Sequence, residues 1–150
     1  MGDKTKQNEL AVERIERFFQ DVALCLKNGS DGFMRNVDIW TKYLGVDNYT
    51  INKPILISGL RGESERFWIL DDVQPKEIGE EEYTELIAKD KRDFNTLTSK
   101  SYVFLEYKIK DDKTYELGLI QGPLCGRWVG GEYKIENGIL KLQIYRTKMS

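Results

Sequence analysis

Residues 126–146 read GRWVGGEYKIENGILKLQIYR, and the alternation and the turn in this stretch agree on one strand pairing. The Asn137-Gly138 dipeptide tolerates the two positive φ angles of a type I′ turn, a common connection between antiparallel strands. With these two residues as the loop, apolar side chains share one face of the hairpin and charged ones share the other. The resulting facing pairs are Ile135 with Leu140 and Tyr133 with Leu142.

The two segments before this hairpin predict a second antiparallel pair. Apolar residues alternate with charged ones over 101–110, and a second strand pattern follows at 114–121. A three-residue loop at 111–113 keeps the apolar faces together, whereas a two-residue loop would oppose Tyr107 to Glu116. The longer loop therefore predicts the pairs Ile109 with Tyr115, Tyr107 with Leu117 and Leu105 with Leu119.

The rest of the chain predicts three helices and two further strands. Apolar residues recur at helical spacing in three segments, and β-rich runs lie between the second and the third. Glycines interrupt the first strand of the hairpin and indicate a bulge or bend there. The expected helices are 8–28, 33–44 and 79–95, the expected strands are 49–58 and 65–73 with a loop at 59–62, and the interrupting glycines are Gly126, Gly130 and Gly131.

Together these elements predict an α+β fold in the order ααββαββββ. In this arrangement a curved antiparallel sheet wraps around three helices as a cone or half-barrel. A chain of 150 residues is long enough for one domain with a substantial core. We therefore expect a single domain over 1–150, with 1–7 disordered.

The charge balance limits the classes of partner. The chain has 23 basic and 25 acidic residues and a net charge of −2, which is not the electrostatic footprint of a duplex-binding protein. No apolar run approaches the ~20 residues that a bilayer span requires, and the N-terminal segment lacks the apolar core of a signal peptide. We expect a cytoplasmic protein that contacts neither membrane nor nucleic acid.

The chain contains no histidine, and this excludes several kinds of active site. Ser-His and Cys-His nucleophiles, histidine metal sites and imidazole acid–base catalysis all require that side chain. Cys25 and Cys125 are expected to be reduced, mostly packed thiols, and two cysteines without histidine do not complete a zinc site. No metal and no cofactor are expected.

The predicted element order resembles that of the NTF2-like (SnoaL-like) superfamily. The stretch IERFFQDVALCLKNGSDGFMRNV is similar to that family's opening helix, turn and second helix, and Gly79 followed by Tyr83, Leu86 and Ile87 resembles its glycine-led third helix. The resemblance implies an apolar pocket at the mouth of a cone and dimerisation through the sheet. Catalytic members often place a histidine and an aspartate in the cone, and this chain has no histidine.

Two enzyme hypotheses can be written from the carboxylates. Glu106 and Lys108 are two residues apart on a strand and share a face, as in nucleases that bind Mg²⁺, and Asp71 and Asp72 end an earlier strand. A half-exposed strand also places polar residues two apart without any metal. An isomerase or dehydratase needs one buried carboxylate, for which the candidates are Asp71, Asp72 and Asp93.

The aromatic residues provide the candidate binding surfaces. A pocket under the sheet would use aromatic rings as walls and tyrosine hydroxyls as directional contacts. Other apolar residues fall opposite the registered core face and predict a strip for protein contact. The expected pocket residues are Trp40, Tyr43, Tyr107, Trp128 and Tyr133, and the expected interface residues are Tyr102, Phe104, Ile139 and Tyr145.

The sequence therefore favours a non-catalytic domain of NTF2-like type that binds a small apolar molecule or a peptide and forms a homodimer. The first alternative is an intracellular interaction protein, such as an inhibitor of the immunity type, that binds a protein partner. The lesser alternatives are the isomerase or dehydratase and the Mg²⁺-dependent nuclease.

Overall fold

The computed structural model describes residues 3–28, 44, 51, 53–71, 73–93, 102–110, 113–122 and 125–149. Two helices and seven strands lie in these residues, and the fold is α+β. The helices are α1 (Asp3–Asn28) and α2 (Glu80–Asp93). The strands are β1 (Ile55–Arg61), β2 (Ser64–Leu70), β3 (Lys76–Ile78), β4 (Val103–Ile109), β5 (Thr114–Gly122), β6 (Cys125–Glu136) and β7 (Ile139–Met149).

The seven strands form one mixed sheet in the order β3-β2-β1-β4-β5-β6-β7. Each pair of neighbours is antiparallel except β1 and β4, which run parallel, with Ile55 opposite Val103. A parallel pair needs a crossover, and the chain between β1 and β4 contains β2, β3 and α2. This crossover places α2 against the β1–β3 half of the sheet.

The two helices lie on opposite faces of the sheet. Helix α1 packs on what we call the inner face, where Ile15, Phe19 and Leu26 join side chains from β1, β2 and β4–β6 in the larger core. Helix α2 packs on the outer face, where Tyr83 joins a second core with Leu56, Phe67 and Ile78 of β1, β2 and β3. The predicted curved antiparallel sheet wrapped around three helices is therefore wrong, because this mixed sheet separates the two described helices.

The burial of β1 explains why both faces of the sheet are covered. Ile55, Leu56 and Ile57 are consecutive and all are completely buried, although neighbouring residues on a strand point to opposite faces. A strand that is apolar on both sides needs a covering layer on both faces, as in sheets with parallel pairs. The wrapped-sheet prediction provided no cover for the outer face.

Both registers predicted from turn chemistry are confirmed. In the β6–β7 hairpin Ile135 is opposite Leu140 and Tyr133 is opposite Leu142, and Asn137 and Gly138 have φ angles of 54° and 76°. In the β4–β5 pair Ile109, Tyr107 and Leu105 face Tyr115, Leu117 and Leu119. The β6–β7 register shifts beside two of the glycines that predicted a bulge, Gly130 and Gly131, but the extra residue is Tyr145 on β7 rather than a residue of β6.

Some elements differ from the sequence prediction, and one predicted helix cannot be compared with the structure. The predicted loop 59–62 is mostly strand, because β1 continues to Arg61 and turns at Gly62, whose φ is 63°. The three-residue strand β3 was missed, because so short a segment carries no periodicity. The predicted helix 33–44 lies outside the described residues apart from Leu44, which is buried.

Candidate functional site

One acidic side chain is buried at the contact between α1 and the sheet. Glu16 is 8% exposed, whereas the remaining described residues of that core are apolar or tyrosine. Its Oε2 accepts a hydrogen bond from the Tyr107 hydroxyl at 2.5 Å, and its Oε1 lies 3.3 Å from Nη1 of Arg61. Both carboxylate oxygens are therefore occupied by donors from β4 and β1. We call Glu16, Arg61 and Tyr107 the polar cluster.

A glycine on β1 leaves room for the Tyr107 ring of this cluster. Gly59 is opposite Tyr107 in the parallel pair, and a Cβ built on Gly59 would lie 2.1 Å from Cζ of the Tyr107 ring. The ring therefore lies across β1 in the space that a side chain would fill. Phe19 packs against it with ring centroids 5.2 Å apart, and Trp68 lies on its β2 side at 6.2 Å.

A second ion pair lies beside the polar cluster on the inner face. Nε and Nη2 of Arg66 donate to the two carboxylate oxygens of Glu77 at 2.9 and 3.1 Å. The guanidinium carbon of Arg66 is 5.1 Å from the centroid of Trp68, within the range of a cation–π contact. The hydrogen bond to Glu77 raises the pKa of Arg66, and the same bond lowers the pKa of Glu77.

The environment keeps Tyr107 protonated. Burial is the largest cause that raises the pKa of Tyr107. The carboxylate of Glu16 raises this pKa further, because a phenolate beside it would be a second negative charge. The phenol is therefore a neutral donor over the ordinary pH range. Among the described residues, every buried side-chain nitrogen and oxygen has a hydrogen-bond partner. The polar cluster thus satisfies itself, which suits a structural role better than proton transfer to a substrate.

We expect Tyr107→Phe to lower the free energy of unfolding by about 2 kcal/mol at pH 7, because Glu16 then loses its buried donor. Folding raises the pKa of Tyr107, and this shift adds to the stability of the folded state. The added stability is complete below the pKa of tyrosine in the unfolded chain, about 10, and is lost as the pH rises above it. Wild type should therefore lose stability above about pH 10 more steeply than Tyr107→Phe. Urea unfolding from pH 7 to 11 measures both effects, and equal slopes would contradict this role of Tyr107.

The outer face of β5 and β6 carries an aromatic ring that is only partly covered. Trp128 lies flat on the sheet, where a Cβ on Gly118 would come within 2.3 Å of its ring and a Cβ on Gly126 within 2.4 Å. These two glycines lie on β5 and β6. The described side chains of α2 pack against the other half of this face.

The end strand β7 continues this surface. Ile139 and Tyr145 are each 62% exposed, and both lie on the outer face because Leu140, Leu142 and Ile144 pack toward α1. The Tyr145 hydroxyl lies 3.0 Å from Oε2 of Glu132 and 2.6 Å from Oε1 of Gln143. Polar neighbours thus hold an exposed ring at the edge of the sheet.

The sheet divides the residues predicted to line a pocket. Tyr107 and Tyr133 are buried on the inner face, whereas Trp128 is on the outer face. Trp128 therefore cannot line the same pocket as Tyr107 and Tyr133, because the sheet lies between them. Trp40 and Tyr43 lie outside the described residues.

The predicted interface strip is also divided, although its members are on the outer face. Tyr102 and Phe104 pack with α2 in the second core. Ile139 is at the far edge with Tyr145, because β5 and β6 separate β4 from β7. The exposed part of the predicted strip is therefore the pair on β7.

Of the described catalytic candidates, Glu106 and Lys108 lie on one face and Asp71 lies apart from them. Glu106 and Lys108 are exposed on the outer face of β4, as their spacing predicts. Phe67 and Glu106 both pair with Ser58 of β1 and so lie at the same level of the sheet. Asp71 is exposed and lies four residues beyond Phe67, which separates it from Glu106 by about 13 Å along the strand direction. Asp72 and the side chain of Asp93 lie outside the description.

Sequence reasoning missed Glu16 and Arg61. Glu16 occupies a helical stripe with Val12, Phe19 and Ala23, and a carboxylate inside an apolar stripe is a sign of a buried partner. The sequence predicts a loop at Arg61 and does not connect Arg61 with Glu16. No signal in the sequence paired either residue with Tyr107.

Neither helix in the described ranges is both long enough and apolar enough to cross a bilayer. A search of the same residues finds no group of three or more cysteine and carboxylate side chains placed to hold a metal ion. Comparison of the chain with protein-family models, with curated proteins and with solved structures finds no match, so its function is inferred from the contacts above.

Proposed function

We propose that the chain is a non-catalytic domain that binds another polypeptide by adding a strand to the sheet at β7. The observation that carries this proposal is the combination of an eleven-residue strand at the end of the sheet with exposed Ile139 and Tyr145 on it. An extended segment paired with such a strand gains main-chain hydrogen bonds, and its side chains contact alternate residues of the edge.

The two ends of the sheet support this proposal by their difference. Natural sheets protect their edges with short strands, prolines, charged residues and bulges. β3 follows this rule, with three residues directly after Pro75. β7 is long and contains no proline. It has a bulge at Tyr145, but its regular part from Ile139 to Ile144 carries only one charge, Lys141. An edge of this length suits a partner better than solvent.

The polar contacts of the inner face favour a binding role over catalysis. The carboxylate of Glu16 bonds to Tyr107 and Arg61, and Arg66 bonds to Glu77, so these charges are used within the fold. The homodimer expected from the sequence is one form of this proposal. A cytoplasmic location also belongs to it.

Selection of peptides from a random displayed library tests the proposal. We expect a selected peptide to shift the amide resonances of Leu140, Leu142 and Ile144. Ile139→Asp and Tyr145→Asp should each weaken its affinity at least about tenfold, because each places a carboxylate in an apolar contact. Val73→Asp is the matched control, since Val73 is 75% exposed and lies between β2 and β3.

Two results would contradict this function. Selected peptides that shift resonances around Tyr107 and Trp68 and leave β7 unchanged would place the binding site on the inner face. Equal loss of affinity in the Val73→Asp control and in the two β7 variants would show that β7 makes no specific contact.

A further inference from the structure

We infer that the strand added at β7 is β7 of a second copy, paired antiparallel so that Leu142 faces Leu142 of that copy across a two-fold axis. This inference rests on the function proposed above and names its partner. It follows from the backbone of β7, from the order of its side chains and from the position of the bulge.

Among the described residues no strand pairs with the outer edge of β7, which presents hydrogen-bonding groups at regular positions. In an antiparallel pair, residues alternate between those that bond to the neighbouring strand and those that point away from it. Glu136 and Ile139 flank the two-residue turn and form a bonded pair, so the groups of Leu140, Leu142 and Ile144 point away from β6. These three residues are symmetric about Leu142. Two copies related by a two-fold axis there would form about six main-chain hydrogen bonds.

The side chains match in this register. Ile139 faces Tyr145 of the second copy, which joins the two large hydrophobic residues that are exposed on each strand. On the inner face Leu140 meets Ile144, and both are only partly buried within one copy. Lys141 faces Gln143, so no like charges are opposed. Cross-strand pairs of this kind are the units that stabilise a sheet.

The alternative registers are less favourable. Centring the pairing on Lys141 opposes two lysines, and centring it on Leu140 leaves pairs only beside the turn. The bulge excludes centres beyond Leu142, because Gly131 faces Ile144 and Gly130 faces residue 146, so Tyr145 is an extra residue. After Tyr145 the alternation of faces along β7 reverses. A centre beyond Leu142 would place Leu140, on the inner face, opposite residue 146, on the outer face.

A mixed cross-linking experiment tests the register. Lys141 and Gln143 are exposed and would face each other across the two-fold axis as a non-hydrogen-bonded pair with Cα atoms about 4.5 Å apart, within disulfide range. In either single variant the two new cysteines would be about 8 Å apart. We therefore expect Lys141→Cys mixed with Gln143→Cys to form a disulfide dimer under mild oxidation. Each variant alone, and wild type with its native cysteines, should not.

Sedimentation measures the association itself. Wild type should show a monomer–dimer equilibrium, and Ile139→Asp should raise its dissociation constant at least about tenfold, whereas Val73→Asp leaves it unchanged. Circular dichroism confirms that the variants fold. Cross-linking of a single variant, or of mixed and single samples alike, would overturn the inferred register.

The same measurements separate this inference from the function on which it rests. A monomer whose β7 amides shift with selected peptides would overturn the second copy as partner and leave the function standing. A dimer that Ile139→Asp does not weaken would place the association elsewhere and overturn this inference alone. If neither peptides nor a second copy affect β7, both are wrong.

Discussion

Gly131→Ala is expected to destabilise the protein by about 3 kcal/mol or more, which is at the upper end for inserting one methyl group. A Cβ at this position would lie 1.6 Å from the carbonyl oxygen of Gln143 on β7 and 2.7 Å from its carbonyl carbon. Both are backbone atoms, so the clash cannot be relieved by turning a side chain. The β6–β7 pair would have to separate or change register.

The same carbonyl has a second contact that the substitution would disturb. It accepts a hydrogen bond from the Tyr115 hydroxyl at 3.1 Å, and Tyr115 is completely buried. Displacement of Gln143 therefore affects the inner core as well as the edge of the sheet. Packing within the core and the position of β7 are joined at this bulge.

Urea unfolding compares Gly131→Ala with Gly79→Ser. Gly79 precedes α2, has no atom within 4 Å of a Cβ built on it, and accepts from the Tyr83 amide, as the first residue of a helix does. Serine is well suited to that position, so we expect a change of only a few tenths of a kcal/mol. A loss below about 1 kcal/mol for Gly131→Ala would show that the two strands can separate locally. If Gly131→Ala still folds, its Lys141→Cys and Gln143→Cys cross-link reports whether β7 kept its register.

The sequence predicted the part of the fold that local rules determine. The two hairpin registers follow from alternation and loop length, because a shift by one residue would move every apolar side chain to the opposite face. The glycines of β6 indicated the position of the irregularity, and the structure has the extra residue opposite Gly130 and Gly131, at Tyr145 of β7. These features involve residues that are close in the chain.

Long-range pairing was not predictable in this way. The run Ile55-Leu56-Ile57 indicates a strand covered on both faces, but it does not say which helix covers which face. The sequence reading placed every helix on one side of the sheet. The parallel contact of β1 with β4 joins residues separated by β2, β3 and α2, and no turn signal specifies such a contact.

The residues of the candidate site show the same difference between local and long-range features. Ile139 and Tyr145 were predicted to oppose the core face, since that follows from the hairpin register, and they are the exposed large hydrophobic residues of β7. Glu16 and Tyr107 are 91 positions apart, and their hydrogen bond depends on how α1 crosses the sheet. Periodicity gives the face on which each residue lies but not the residue that it meets there.

The space over Gly59 gives the second large effect. Gly59→Ala should lower the free energy of unfolding by about 3 kcal/mol, because the new Cβ would meet Cζ of Tyr107 at 2.1 Å and its hydroxyl oxygen at 2.3 Å. Side-chain atoms normally move away at little cost. This ring is held between Phe19 and Trp68 and is bonded to Glu16, so its movement would break the polar cluster.

The double variant with Tyr107→Leu separates this steric effect from a general effect on β1. Leucine lacks the ring that crosses the strand, so in that background the Cβ at position 59 meets no ring. Alanine is better than glycine within a strand by about 0.5–1 kcal/mol, so Gly59→Ala should then be neutral or stabilising. Urea unfolding of the four proteins gives the coupling energy, which we expect to exceed about 2 kcal/mol. The same loss in both backgrounds would show that Gly59 is required by the backbone of β1, and that Tyr107 does not depend on it.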